Sequence, residues 1–523
     1  MEIFEWVVSV LLGAVLLAAL ARRIGAPYPA FLALGGVALA FVPGVPNLKL
    51  DPELALALFL APVLLDAGYA TSLRDLKANW RPIAGLALGA VAATTIAVAV
   101  VAKALVPGMP FAACIVLGAV VAPPDAVAAL SVLRHVSLPH RLTTILRGES
   151  LLNDAGSLLI YRLGVAAAIT GVFHPGEIAP TFLLGVVASL VAGPVLAYAY
   201  VAVMRRFTDA ASTIVLQFVA AFGLWIAAEG LELSGVLTVV SFAITVARYS
   251  PGITAPRTRI LSYAVWDTAV FVLNVLAFVL IGIQIGPILA RLNQSEQVST
   301  YILAGMVLLT VVLVRIAWVL PASGIGRLEF TSHRRPRRGT SEEILGLKAA
   351  VAVAWSGMRG IVTIAAALAL PQGGPDGGFP YRDLIVFTAF CTVIGTLVVQ
   401  GLTLSPLLAW LGLEDDDPVG REVGRARAEA FAAALESLGS GDEAGTEALR
   451  EEFRAALAEA KSHDEGLAPE SLPSDAARRR AIAAARDTVL SLRRQGRIGD
   501  DAYYVLEEEF DWAELNATPR AET

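Results

Sequence analysis

The feature that most limits how this chain can fold is its succession of apolar runs. A helix needs about 20 predominantly apolar residues to cross the hydrocarbon core of a bilayer. Thirteen stretches of the 523-residue chain approach or exceed that length: roughly 3–21, 28–43, 52–69, 81–105, 110–132, 142–171, 178–204, 210–229, 233–247, 261–285, 299–321, 342–371 and 382–411. Composition agrees. Hydrophobic residues make up 56% of the chain and charged residues 16%. An ordinary soluble domain has about 45–50% and about 25%. Residues 1–411 therefore read as an all-α polytopic membrane domain of about 13 transmembrane helices.

Charge tests that count. With spans alternating in direction, one set of loops holds seventeen Lys and Arg residues, among them Arg22, Arg23, Arg74, Lys77, Arg205, Arg206, Arg248, Arg257, Arg259 and the Arg334–Arg338 cluster. The other set holds three, Lys49, Arg291 and Arg382. Positive charge favours the cytoplasmic side, which puts the N-terminus outside and the C-terminus in the cytoplasm of a bacterial-type plasma membrane. Adding or removing one span would scramble this partition. Glu2 and Glu5 lie near the start of the first run and Arg22-Arg23 follow it. That order is opposite to a signal peptide, so the run is expected to be a retained span.

Residues 412–523 differ in kind. They are rich in Ala, Glu and Arg and carry 14 basic and 26 acidic residues. Helical patterns run from about Arg421 to Leu438, Asp442 to Lys461, Ser474 to Gln495 and Asp500 to Leu515, punctuated by Gly439-Ser440-Gly441 and the Pro469/Pro473 region. A small helical cytoplasmic tail is expected, without a Gly-x-Gly-x-x-Gly nucleotide fingerprint. The formal net charge of −6 comes from this tail, so it implies no nucleic-acid partner. Cys114 and Cys391 both lie in apolar runs and suggest no disulfide framework. The five histidines lack metal-ligand spacing, and no cofactor is expected.

Thirteen spans divide into two sets of six joined by the seventh, and an offset of seven inverts the second set. That is the pattern of a secondary transporter with inverted repeats, whose binding site lies where two discontinuous helices meet. The fifth span, which carries Pro123-Pro124, then pairs with the twelfth, which carries Gly357-Met358-Arg359-Gly360. Tandem prolines remove two amide donors, and paired glycines are the other common weak point. Two interrupted helices are expected in equivalent positions, although Pro and Gly are in any case frequent in membrane helices.

The most costly polar cluster is Arg147-Gly148-Glu149-Ser150-Leu151-Leu152-Asn153-Asp154. A charge at a membrane-helix centre costs about 2.5 kcal/mol or more, so such groups persist by pairing, facing water or binding something. Residues four apart share a helix face. Ser150 and Asp154 form one stripe, and Glu149 and Asn153 the next. A hard cation takes oxygen ligands. Asp154, Ser150, Asp125 and a carbonyl freed at the break, at Pro124, could supply them. One carboxylate that holds either a cation or a proton is sufficient for exchange. Asn153 is expected to hydrogen-bond across to the broken helix. Arg359 needs a partner because guanidinium does not deprotonate, and Glu149 is the best candidate; the alternative is an ion pair of Arg359 with Asp154 and no ligand. Arg147 is placed near the cytoplasmic surface. Arg162 is expected to snorkel or pair, and Lys103, Arg315 and Lys348 to reach the interfaces. Asp66 and Trp266-Asp267 rank lower as site residues, as do Asn274 and Gln284.

Three motifs carry a family resemblance: Val121-Ala122-Pro123-Pro124-Asp125-Ala126-Val127-Ala128, Gly148-Glu149-Ser150-Leu151-Leu152-Asn153-Asp154-Ala155, and Gly357-Met358-Arg359-Gly360. Their order and the span count resemble the Na⁺/H⁺ exchangers of the cation:proton antiporter-1 family, in its bacterial NhaP-like branch. The resemblance covers about 1–411. It implies a homodimer in which spans 1–3 and 7–10 form the dimerisation scaffold and spans 4–6 and 11–13 a mobile core, moving in elevator fashion. It further implies a structural Glu149–Arg359 pair, Asp125 and Ser150 as ion-site residues, and Asp66 as an acidic residue of the third span. The Asn153-Asp154 pair marks the electroneutral members. Arg147, Pro124, Ala126 and Gly156 depart from the common pattern, which has an acidic residue, Thr, Pro and Thr there.

The expected function is therefore exchange of Na⁺, with Li⁺ as a further ion, for H⁺ across the membrane. K⁺/H⁺ exchange on the same scaffold is the close rival, because the ligand types do not separate the ions. An intramembrane aspartyl protease using Asp125 and Asp154, and a sensor or channel with the tail as output, are rivals of other classes. The only Gly-x-Gly-Asp sequence, Gly439-Ser440-Gly441-Asp442, lies in the tail, away from any membrane dyad.

Overall fold

The computed structural model describes residues 2–24, 26–43, 52–133, 138–170, 175–207, 209–250, 253–291, 297–324, 341–372, 378–413, 418–438, 446–462, 475–495, 497 and 500–518. Several loop residues used to orient the spans, Lys49, Arg134, Arg327 and Arg334 to Arg338, lie outside them, as do Gly439 to Asp442 and Pro469/Pro473. Two units are distinct, Met1–Asp415 and Asp416–Thr523. The described residues are helical throughout, with no strand among them.

The first unit opens with α1 (Glu2–Arg23), α2 (Tyr28–Ala40) and α3 (Pro52–Ala55), then α4 (Ala61–Tyr69), α5 (Leu73–Ala78), α6 (Trp80–Ala84) and α7 (Val91–Leu105). Next come α8 (Phe111–Val121), α9 (Ala126–Leu133), α10 (His140–Thr170), α11 (Pro175–Met204), α12 (Ala210–Gly230) and α13 (Gly235–Tyr249). The unit closes with α14 (Pro256–Ile283), α15 (Ile285–Arg291), α16 (Gln297–Gly324), α17 (Ser341–Trp355), α18 (Ile361–Leu368) and α19 (Arg382–Leu411). Six stretches among the described residues are long and apolar enough to cross a membrane: Trp80–Leu105, Leu184–Met204, Ala210–Gly230, Pro256–Ala290, Val298–Pro321 and Arg382–Leu411.

Local chemistry explains the boundaries. Asp209 accepts a hydrogen bond from the Ser212 amide at 2.7 Å and so starts α12, while Ser234 caps α13 through the Leu237 amide. Two wide π-type turns, Leu56–Leu60 and Gly85–Ala90, loosen the third and fourth apolar runs. Trp318 Nε1 donates to Gly85 O at 3.1 Å, satisfying a carbonyl at the second of these turns. In the fifth run the helix stops at Val121 and restarts at Ala126; in the twelfth it stops at Trp355 and restarts at Ile361.

Helices α2 and α14 approach until their backbones touch. A Cβ on Gly36 would lie 2.2 Å from Val279 O, and one on Gly282 would lie 2.2 Å from Ala33 O. Small residues allow such approach where lipid supplies no hydrophobic drive. Helix α19 runs through the largest core cluster, which also gathers residues of α8, α10, α16 and α17.

The second unit comprises α20 (Pro418–Ser437), α21 (Thr446–Ser462), α22 (Asp475–Arg494) and α23 (Asp500–Asn516). Phe431 packs against Phe453 across α20 and α21. Arg486 on α22 reaches Asp511 at 2.6 Å and Glu514 at 2.7 Å on α23, and Arg493 lies over the Tyr503 ring.

Gly282→Ala is expected to force α2 and α14 apart at a cost of about 1–3 kcal/mol, the usual range for overpacking. Thermal unfolding in detergent checks it. Gly13→Ala, where an added Cβ meets nothing within 4 Å, is the neutral control.

Candidate functional site

The site is built where the two interruptions meet. Pro124 and the turn around it leave the α8 carbonyls and the α9 amides without helical partners. The Asp125 amide donates to Met358 O at 2.7 Å, so the non-helical backbone of one break pairs with that of the other. Asn153 Nδ2 on α10 donates to Pro124 O at 2.8 Å. The Arg359 amide donates to Thr396 Oγ1 on α19 at 3.0 Å. Asp125 caps α9 through the Val127 amide at 2.8 Å. Gly360 permits the crossing, since a Cβ there would fall 1.7 Å from Asp125 Oδ2.

The arginines are arranged differently from the expectation. Glu149 does not pair with Arg359. Its carboxylate takes both arms of Arg315 on α16, at 2.5 and 2.8 Å, with Glu149 1% and Arg315 2% exposed. Arg315 Nε also donates to Val353 O at 3.2 Å, tying α17 to the pair. Arg359 instead donates to Val121 O at 2.9 Å, Ala122 O at 3.1 Å and Gly357 O. It caps the C-terminal end of α8, where a cation also complements the helix dipole. The two guanidinium groups pack past each other at Gly357, whose Cβ would lie 2.4 Å from Arg315 Cδ.

The physical reason is that a broken helix creates acceptors. Orphan carbonyls at membrane depth need donors as much as a carboxylate does. The sequence placed Arg315 at an interface because it lies six residues from the end of its apolar run. The helix continues to Gly324 and holds Arg315 in the interior. A guanidinium with apolar residues on both sides is the signal that marks it. By sequence Arg382 is only a loop charge. Its Nε and Nη2 donate to Leu370 O and Leu368 O at 2.8 and 2.9 Å, at the C-terminal end of α18.

A cavity of about 80 Å³ opens beside the crossing. Asp125, Pro124, Ser150, Asp154, Gly360 and Thr363 line it, together with apolar residues of α4, and Arg147 also borders it. That volume has room for several waters, since about 10–15 Å³ suffices for one. Ser150 and Asp154 face it from one stripe of α10; Glu149 and Asn153 turn inward from the other. Asp125 Oδ2 and Thr363 Oγ1 are buried without a hydrogen-bond partner. Among the described residues, none donates to the Asp154 carboxylate and neither cavity carboxylate is ion-paired. The Pro124 carbonyl already accepts from Asn153.

The structure does not bring Asp66 to this cavity. Leu64 and Ala67 face it, whereas Asp66 and Tyr69 on the same helix line a second cavity with Tyr200, Gln217, Arg259 and Trp266. Trp266 Nε1 donates to Gln217 Oε1 there, and Asp267 is exposed. Arg162 pairs with Glu229 at 3.0 Å between exposed side chains. Lys103 donates to Pro107 O and Met109 O at the end of its helix. Arg147 is exposed, Lys348 half-buried, and Asn274 in α14 and Gln284 at its C-terminal end are buried.

An all-helical membrane unit with two interrupted helices crossing beside buried carboxylates defines a secondary transporter. Residues 8–410 match the family of sodium/hydrogen exchangers, transmembrane. The chain belongs to this family and is a monovalent cation/proton antiporter; it is a transporter and not an intramembrane protease. An uncharacterised Na⁺/H⁺ exchanger of Mycobacterium tuberculosis is 31% identical over 507 residues, covering 93% of this chain and 91% of its own. A sodium, potassium, lithium and rubidium/H⁺ antiporter of Bacillus subtilis is 32% identical over 388 residues, covering 72% of this chain and 57% of its own. The solved structure of the sodium proton antiporter MjNhaP1 from Methanocaldococcus jannaschii shares the fold. Its TM-score is 0.61 at 17% identity, covering 79% of this chain and 98% of that one.

Removing one side of a buried pair strands a charge and costs about 3–5 kcal/mol. Glu149→Ala and Arg315→Ala are each expected to lose stability in that range, and the double variant less than their sum. Thermal unfolding of the three variants measures the coupling.

Proposed function

We propose that the protein exchanges Na⁺, and Li⁺ with it, for H⁺ one-for-one and electroneutrally, with cation and proton competing for Asp154. The observation that carries this reading is the shared cavity of Asp154 and Asp125, whose negative charge no side chain among the described residues neutralises by ion pairing. Ser150 and Asp125 complete the oxygen set, and Asn153 and the Glu149–Arg315 pair hold α10 in place. Asp66 serves the approach to the site rather than direct ligation, because a separate cavity holds it. The two broken helices belong to inverted six-helix repeats. Spans 4–6 and 11–13 form a core that slides in elevator fashion against a scaffold of spans 1–3 and 7–10, within a homodimer. The N-terminus lies outside and the 412–523 tail in the cytoplasm, as the loop charges favour.

K⁺/H⁺ exchange is the second reading, favoured by the substrate range that names the Bacillus subtilis relative. Ion-driven proton movement in proteoliposomes, comparing Na⁺, Li⁺, K⁺ and Rb⁺, separates the two. A K⁺ response equal to that of Na⁺ would replace the leading reading.

Asp154→Asn is expected to abolish exchange and leave the melting temperature unchanged; exchange retained by a folded variant would sink the site. Transport by the wild type is expected to be bell-shaped in pH. Protons exclude the cation from Asp154 at low pH, and at high pH no proton is available for the return step. Initial rates across the pH range check this, and a flat profile would contradict the shared site.

A further inference from the structure

We propose that the Thr363 hydroxyl is a ligand of the transported cation, so that both interrupted helices hold the ion; the inference rests on the cation-exchange reading of the cavity. Thr363 stands on α18, 1% exposed, and lines the cavity with Asp125, Ser150 and Asp154. Its Oγ1 has no hydrogen-bond partner. Thr238 and Thr388 are also without a partner, but the hydroxyl of a threonine in a membrane helix can return to the carbonyl four residues earlier. Thr95 does so onto Val91 O at 2.9 Å, Thr310 onto Met306 O at 2.7 Å and Thr392 onto Thr388 O at 2.8 Å. For Thr363 the residue four earlier is Arg359, which lies in the break. The interruption therefore removes the hydroxyl's usual acceptor on a residue that lines the cavity.

Its neighbour on the helix fixes what it can reach. Residues three apart lie on one helix face, and Gly360, three residues before Thr363, lies against Asp125 Oδ2. That oxygen is also unpartnered, while Oδ1 is engaged by the Val127 amide. Thr363 thus lies in the first turn of α18, whose N-cap Gly360 abuts the orphan oxygen of Asp125. Together with Ser150 and Asp154 across the cavity, the oxygens come from α10, the α9 cap and α18. Carboxylate and hydroxyl oxygens are the donors a hard monovalent cation prefers. The hydroxyl is neutral and takes no part in protonating Asp154. It strengthens cation binding alone and so sets affinity for the ion rather than the rate of proton return.

The test is Thr363→Val, which removes the hydroxyl at nearly constant volume, beside Thr363→Ser, which keeps it. Both are purified as full chains and reconstituted. Thr363→Val is expected to raise the KM for Na⁺ and Li⁺ by about tenfold, the scale of one lost interaction with a charged group. Maximal rate and ion-free melting temperature should stay near wild type, and Thr363→Ser should return the KM. A KM within about twofold of wild type for every cation in Thr363→Val overturns the proposal, the scatter expected of an interaction that contributes nothing. So does a loss of maximal rate or ion-free stability at unchanged KM, which marks a packing role. Stabilisation against heat by added NaCl or LiCl, with choline chloride as control, gives a second readout. If wild type shows no exchange but a cation-specific rise in melting temperature that Thr363→Val loses, the exchange reading fails and the ligand stands. If neither is seen, both fall.

Discussion

The hydrogen bond from the Asp125 amide to Met358 O joins the interruption of the fifth apolar run to that of the twelfth. Inside a bilayer an unpaired amide or carbonyl has no water to turn to. One interrupted helix alone would strand its donors and acceptors. Two that cross can satisfy each other. The pairing explains why the breaks occur together, and why Gly360 stands where any Cβ would strike Asp125. It also leaves the N-terminal ends of α9 and α18 beside the cavity. The groups that the pairing does not satisfy are taken up by Asn153, Thr396 and Arg359.

The breaks were legible in the sequence because their causes are local. Pro123-Pro124 removes donors at that position, and Gly357 and Gly360 mark where backbone and guanidinium groups come close. The division of α10 into stripes was also legible, since it follows from 3.6 residues per turn. Ser150 and Asp154 consequently share the cavity, and Glu149 and Asn153 do not. Partner choice was not legible. Arg315 and Arg359 are 44 positions apart in sequence, and only the packing of α16 on α17 decides which reaches Glu149. Matching charge to charge pairs Arg359 with Glu149 and supplies only Asn153 as a donor to the carbonyls that a break exposes. The face of α4 was similarly beyond reach. Asp66 sits between Leu64 and Ala67, which border the cavity of Asp125 and Asp154, yet lines a separate one.

Arginine does the same work at two half-helix ends. Arg359 holds the last carbonyls of α8, and Arg382 holds Leu368 O and Leu370 O past the end of α18. In each case a fixed positive charge meets the negative end of a helix dipole. Lysine would serve poorly, since the planar fork engages several carbonyls at once.

Arg315 is committed to Glu149, and Arg359 and Arg382 to backbone carbonyls. The buried guanidinium groups are thus engaged away from Asp154 and Asp125. Two carboxylates in one enclosed space repel each other, and ionising both there is costly. Arg147 borders the cavity; on the proposed reading the remaining compensating charge arrives from outside as a proton or a cation. A cavity of this kind is unfavourable when empty of both, whichever side it faces. On the proposed reading that is the basis of obligatory exchange: crossing with Asp154 bare is disfavoured, crossing with either ion aboard is not, and one ion therefore moves for each one returned.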